Sequence, residues 1–158
     1  MGFTKLSLKG RALKLLSQRE HSRLELERKL ASHVEEGDDL NAVLDTLEQR
    51  GFISAERVAE SVLHRKAARF GTARVAQELR SKGLDDALVR AATEQLRATE
   101  LQRAHAVWRQ RFGAPPATPQ ERLKQMRFLA ARGFGGEIAS KVVRGRTEDR
   151  DEESGGEG

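Results

Sequence analysis

Cysteine is absent from this 158-residue chain, which removes disulfide scaffolds, thiol catalysis and zinc sites built on Cys. Tyrosine is absent too, and six Phe with one Trp make up the whole aromatic inventory. A single thick globular core therefore lacks the large side chains that would fill it. No run approaches the roughly 18 consecutive apolar residues of a membrane span. Strand signals are scarce, and neither a GxxxxGK[ST] loop nor a GxGxxG turn follows one, so phosphate-cradle and dinucleotide readings fail together. The opening run MGFTKLSLKGRALKLL has no apolar core followed by small residues, so no signal peptide is expected. These absences leave a cytoplasmic, mainly helical protein with no membrane association as the expectation.

What the chain has in quantity is charge: 34% of its residues are charged and 37% are apolar, against about 25% charged in an ordinary domain. The apolar residues are mostly Leu, Ala and Val, which suit narrow stripes on many helices. The net charge of +5 is unevenly spread. Residues 1–50 are neutral, 51–98 carry +3 and 99–144 carry +6. The last segment, 145–158, carries −4, has no apolar residue, and reads as a disordered acidic tail. A body of +9 weighted towards one end favours an anionic partner, nucleic acid being the commonest.

Helix punctuation runs along the whole chain. Leu6, Leu13 and Leu16 recur at helical spacing up to Ser17–Gln18. Ser22 with Glu25 forms a capping box ahead of Leu26 and Leu30, and Glu25–Lys29 is an i,i+4 pair in the favoured order. Asp38 or Asp39 opens a third helix that Gly51 ends as a C′ residue. The pattern then restarts. Ser54 caps a helix through Val58, Val62, Leu63 and Phe70, closed by Gly71; Thr72 caps the next, closed by Gly83; Asp85–Asp86 open another. A third round begins near Thr99 and passes Val107 and Trp108 to Phe112–Gly113. Thr118-Pro119-Gln120-Glu121 is a further capping box with proline at the first helical position, and a short last helix carries Ile138, Val142 and Val143.

Ser22, Thr72 and Thr118 lie 50 and 46 residues apart, each opening the middle helix of a set of three. Periods of this length mean modules in a row, each with a small core. The expected fold is all-α: three tandem three-helix repeats over 1–53, 54–98 and 99–144 in an elongated, curved, monomeric chain, followed by the tail 145–158.

Chemistry for catalysis or metal binding is missing from the pattern. His21, His33, His64 and His105 include no i,i+3 or i,i+4 pair, and no carboxylate completes a ligand set. Most acids have a basic neighbour on the same helix face and read as salt-bridge partners. No enzyme, metal or cofactor is expected. The informative residues are basic ones without acidic neighbours. Arg65, Lys66 and Arg69 have no Asp or Glu three or four positions away, and Arg65–Arg69 reads as a like-charge i,i+4 pair. Arg109, Arg111 and Arg132 stand alone, while Lys124 and Arg127 have only Glu121 nearby. A phosphate backbone would neutralise such clusters. A helix-turn-helix reading is also open, with Arg74, Gln77 and Arg80, or Gln120, Lys124 and Arg127, facing a groove. Trp108 and Phe112 could stack on bases, although their helical spacing favours the core.

The run from Ala12 to Leu30, ALKLLSQREHSRLELERKL, resembles the N-terminal signature of the RecX family of bacterial RecA regulators. LEQRGF at 47–52 is similar to the segment before that family's second helical set. Phe70-Gly71 with Arg74, Glu78-Leu79 and Lys82-Gly83-Leu84 resembles its Gly-x-x-(Arg/Lys)-Ile-x-x-Glu-Leu-x-x-Lys-Gly-Ile segment. Arg132-Gly133-Phe134 with Ile138 is similar to its C-terminal Gly-Phe and isoleucine. One departure stands at Ser54 and Ala55, where the family usually has two Asp; the acidic tail also lies beyond its pattern.

The resemblance implies a non-enzymatic modulator that binds RecA and the RecA–DNA filament in its helical groove and inhibits strand exchange and coupled ATP hydrolysis. Charge adds a division of labour: repeats 2 and 3 face single- or double-stranded DNA non-specifically, and repeat 1 makes protein contacts. The residues expected at the DNA or filament surface are Arg65, Lys66, Arg69, Arg74, Arg80, Lys82, Arg109, Arg111, Lys124, Arg127 and Arg132. The alternative is a helix-turn-helix transcription regulator.

Overall fold

A computed structural model describes residues 5–145. The acidic tail expected from 145 onward therefore lies, from residue 146, outside the described residues. Within them the chain is all-helical, and no helix is long and apolar enough to cross a membrane. Helices α1 (Leu8–Gln18), α2 (Arg23–Leu30) and α3 (Leu40–Gln49) form the first module; α4 (Ala55–Lys66), α5 (Thr72–Ser81) and α6 (Asp86–Ala98) the second; α7 (Glu100–Arg111), α8 (Pro119–Ala131) and α9 (Gly136–Val143) the third.

Local chemistry sets most of the helix starts. Ser7, Asp39, Ser54, Asp85 and Thr118 each accept a hydrogen bond from the backbone N–H three residues on. Ser22 and Glu25 complete the reciprocal capping box, satisfying two amides that the helix leaves orphaned. At Thr118 the box is only half formed, because the Glu121 carboxylate accepts from the Ala117 N–H at 2.7 Å instead. Gly51, Gly83 and Gly133 enter the left-handed region after α3, α5 and α8, with φ of 77°, 76° and 89°.

Each module has its own core. Leu8, Ala12, Leu26, Leu30, Leu44, Leu47 and Ile53 fill the first. Val58, Val62, Val75, Leu79, Leu84, Val89 and Leu96 fill the second, and Ala104, Trp108, Leu129, Phe134, Val142 and Val143 the third. Each fully buried Leu or Val contributes about 1.5–3 kcal/mol, so a handful per module replaces the missing aromatics. Trp108 is one of these core residues. Its indole N–H donates to Gln125 Oε1 at 2.8 Å, and Gln125 in turn donates to the Ala114 carbonyl.

The structure corrects four further local expectations. Leu6 is exposed because Ser7 caps α1 and places Leu6 before the helix; Leu8 and Ala12 take the buried stripe. Glu25 does not pair with Lys29. It accepts from Arg19 at 2.7 Å and from Lys82 of the second module at 3.1 Å. Lys29 Nζ lies 3.2 Å from Nε2 of His21 instead. His21 is buried with its Nδ1 3.0 Å from the Arg19 carbonyl. Burial lowers its pKa, helped by the nearby Arg19 and Lys29 charges and opposed by the Arg19 carbonyl and Glu25. Arg65 and Arg69 are not an i,i+4 helix pair, since α4 ends at Lys66 and Arg69 lies in the following turn.

The fourth correction concerns Gly71 and Thr72. Gly71 does not close α4 as a left-handed residue: with φ −75° and ψ 166° it is the N-cap of α5, and Thr72 is the first helical residue. No side chain fits at 71, because a Cβ there would lie 2.2 Å from the Gly133 carbonyl oxygen. The missing cap is supplied from the third module, where Glu100 accepts the Thr72 N–H at 3.3 Å.

Candidate nucleic-acid interface

Two junctions of different character join the modules. Between the first and second stand the Lys82–Glu25 ion pair, an Arg57–Glu20 pair at 2.9 Å, and a contact of Gly83 with the Leu24 side chain. Among the described residues no hydrogen bond or ion pair links the first module to the third. The second junction is a backbone weld. Gly71 N–H donates to the Arg132 carbonyl at 2.8 Å, and Gly71 and Gly133 are in direct contact.

Arg103 on α7 fastens this weld from behind. Its guanidinium donates to the carbonyls of Ala67 (2.8 Å), Phe70 (2.7 Å) and Leu96 (2.8 Å), and to the hydroxyls of Thr72 (3.3 Å) and Thr99 (3.1 Å). Burial lowers its pKa and Glu100 opposes that shift. The turn 67–71 is thus held at its carbonyls, which fixes where Arg69 and Phe70 stand.

On the outer side of the weld the basic residues collect around two rings. The guanidinium of Arg74 lies 4.1 Å from the Phe70 centroid; Lys66, Arg132 and Arg69 lie 5.3, 5.7 and 5.8 Å from it. Arg132 is also 5.0 Å from the centroid of Phe128, which Arg111 approaches at 5.6 Å. Phe128 is set edge-on against Phe112 at 5.3 Å. Arg74 donates to the Ala131 carbonyl at 3.2 Å and Arg132 to the Arg69 carbonyl at 3.3 Å, so each reaches across the junction. None of these five cations forms an ion pair among the described residues. A cavity of about 320 Å³ borders Lys66, Phe70 and Arg74, with Glu78 on its rim. A second, of about 370 Å³, borders Arg69, Arg111, Phe128 and Arg132.

Five of the eleven expected surface residues therefore meet: Lys66, Arg69, Arg74, Arg111 and Arg132. Lys82 does not join them, because its ammonium is committed to Glu25, with both side chains only 13% exposed. Arg65, Arg80, Arg109, Lys124 and Arg127 are exposed on α4, α5, α7 and α8 outside this cluster. Sequence reasoning missed Phe70 and Phe128 as platforms for cations, and Arg103 as their support. A Phe close in sequence to basic residues without acidic neighbours was the signal available for the first two. Arg103 had none, since its partners are backbone carbonyls and two threonine hydroxyls, most of them far off in sequence. In the first module Arg23 is ringed by Glu27, Asp45 and Glu48 at 3.3, 2.5 and 3.4 Å, so its charge is matched internally.

Comparison with known proteins gives one consistent result. Residues 98–143 match the family model "RecX, third three-helix domain" and residues 56–92 match "RecX, second three-helix domain". The Regulatory protein RecX of Ralstonia nicotianae is 53% identical over 140 residues, covering 89% of this chain and 88% of that protein. The Regulatory protein RecX of Leptothrix cholodnii is 53% identical over 139 residues, covering 88% of each. The crystal structure of RecX from Lactobacillus salivarius superposes with a TM-score of 0.72 at 20% identity, over 87% of this chain and 93% of that one, a likeness of fold. With three-helix modules of matching order and half its residues shared with full-length relatives, this chain belongs to the RecX family.

Proposed function

We propose that this chain is a non-enzymatic regulator that binds RecA and the RecA–DNA filament, lies along its helical groove, and lowers recombinase and coupled ATPase activity. The observation that carries the reading is the 53% identity to proteins named Regulatory protein RecX across nearly the whole chain. The charge layout supports it. The first module carries as many acidic as basic residues and rings Arg23 with three carboxylates, whereas the second and third present a cluster of cations without ion pairs among the described residues. Three modules in a row place several weak contacts on one ligand, and such contacts reinforce each other through high effective concentration. The reading needs no cofactor, and one copy suffices because the repetition is within the chain. Of the helix-turn-helix candidates on α5, Arg74 is held against Phe70 and the Ala131 carbonyl.

The test is RecA ATPase on single-stranded DNA with this protein titrated in. Inhibition below one copy per RecA supports the reading. An unaffected ATPase, together with tight sequence-specific duplex binding, would transfer support to the transcription-regulator alternative.

A further inference from the structure

We infer that the junction of the second and third modules is a composite phosphodiester-binding seam, in which Phe70 and Phe128 serve as platforms that orient arginines for the nucleic-acid backbone. The inference rests on the reading of these two modules as DNA-facing and specifies how they would do it.

Four observations carry it. Five cations from α4, the 67–71 turn, α5, α7 and the end of α8 converge without a single ion pair among the described residues. Like charges gathered this closely repel one another, and the fold holds them there by stacking and by bonds to backbone carbonyls that leave their charge uncancelled. A guanidinium lying on a ring face keeps N–H groups free at its edge, the arrangement that meets phosphate oxygens in pairs. Cations already lie beside both rings, so a base would have to compete with them for the ring faces. Finally, the Gly71 and Thr72 amides at the start of α5 are committed to the Arg132 carbonyl and to Glu100, which leaves the basic side chains as the charged donors of the seam.

The seam crosses two modules, with Arg132 placed between both rings. It therefore matches a continuous line of negative charge better than one isolated anion. A DNA duplex supplies about one charge per 1.7 Å of its axis, a density well above that of an acidic protein face. The ligand is the sugar-phosphate backbone, bound without base preference.

The test uses the full chain and a fluorescein-labelled mixed-sequence DNA duplex, without RecA, with anisotropy measured across a series of salt concentrations. Arg74→Gln/Arg132→Gln should lower the slope of log K against log salt by about 1.8, and affinity at 0.15 M salt by roughly 30-fold. Arg90→Gln/Arg97→Gln, an equal charge change on exposed positions of α6, should change the slope by less than half as much. Phe70→Leu alters no charge, and should weaken binding about fivefold while the slope is kept. A second duplex of unrelated sequence should bind within about twofold of the first. Equal slopes for the two arginine variants would overturn the seam; wild-type binding by a natively helical Phe70→Leu would overturn the platform role; strong sequence dependence would overturn backbone recognition. RecA inhibition that survives in Arg74→Gln/Arg132→Gln while DNA binding is unchanged sinks the seam and leaves the regulator reading standing. A seam that binds as described in a protein without effect on RecA does the reverse.

Discussion

Glu25 is where one carboxylate does three jobs, and removing its charge should uncouple the first module. Its oxygens close the α2 capping box through the Ser22 N–H and accept from Arg19 and Lys82. Burial raises its pKa, but the bonds from Arg19, Lys82 and Ser22 outweigh that and hold it at about 2, against an ordinary 4.5. At 1.36 kcal/mol per unit, this depression corresponds to about 3 kcal/mol of folding stability at pH 7. The sign follows from a folded value below the unfolded one. The contribution is complete above pH 4.5 and is lost as pH falls towards 2, so that about 1.4 kcal/mol remains at pH 3. Glu25→Gln keeps the shape and the capping acceptor while removing the charge. Amides of residues 8–53 that exchange through unfolding of the first module should then exchange about two orders of magnitude faster at pH 7, as read by hydrogen–deuterium exchange mass spectrometry. The gap between variant and wild type should narrow to about tenfold at pH 3. Wild-type exchange in the variant at pH 7, or a gap just as large at pH 3, would refute the argument.

Three further outcomes follow from the same geometry. Gly71→Ala places a Cβ 2.2 Å from the Gly133 carbonyl and should cost about 1–3 kcal/mol in thermal unfolding, whereas Gly136→Ala, with nothing within 4 Å, should be neutral or slightly stabilising. Gln125→Leu leaves the buried Trp108 N–H without its acceptor, which should cost about 1–3 kcal/mol and shift the Trp emission, measured by fluorescence-detected urea unfolding. Three cores in a row should give a radius of gyration clearly above the about 15 Å of a compact chain of this length, and a compact value from small-angle scattering would contradict the tandem arrangement.

The sequence by itself determined the helices, most of their caps and the division into three small cores. These features arise from interactions within three or four residues, such as Ser22 with Glu25 or Asp85 with the Leu88 N–H, and from apolar stripes of helical period. Unpaired basic residues were legible for the same reason, because a missing neighbour at i±3 or i±4 can be read along a helix. Which of them meet was decided only by tertiary structure. Lys82 was expected at the DNA or filament surface and is held by Glu25, 57 residues away; Gly71 looked like a helix terminator and instead makes room for a backbone 62 residues on. Phe70 and Phe128 pack against the cores of the second and third modules, and at the junction each also stands beside arginines. Contacts at such separations leave no periodicity in the chain, and a glycine needed for close approach is spelled the same as one needed for a turn. Docking of the second module on the third settles the difference, since only that packing brings the Arg132 carbonyl to the Gly71 N–H and the Arg132 side chain to both rings.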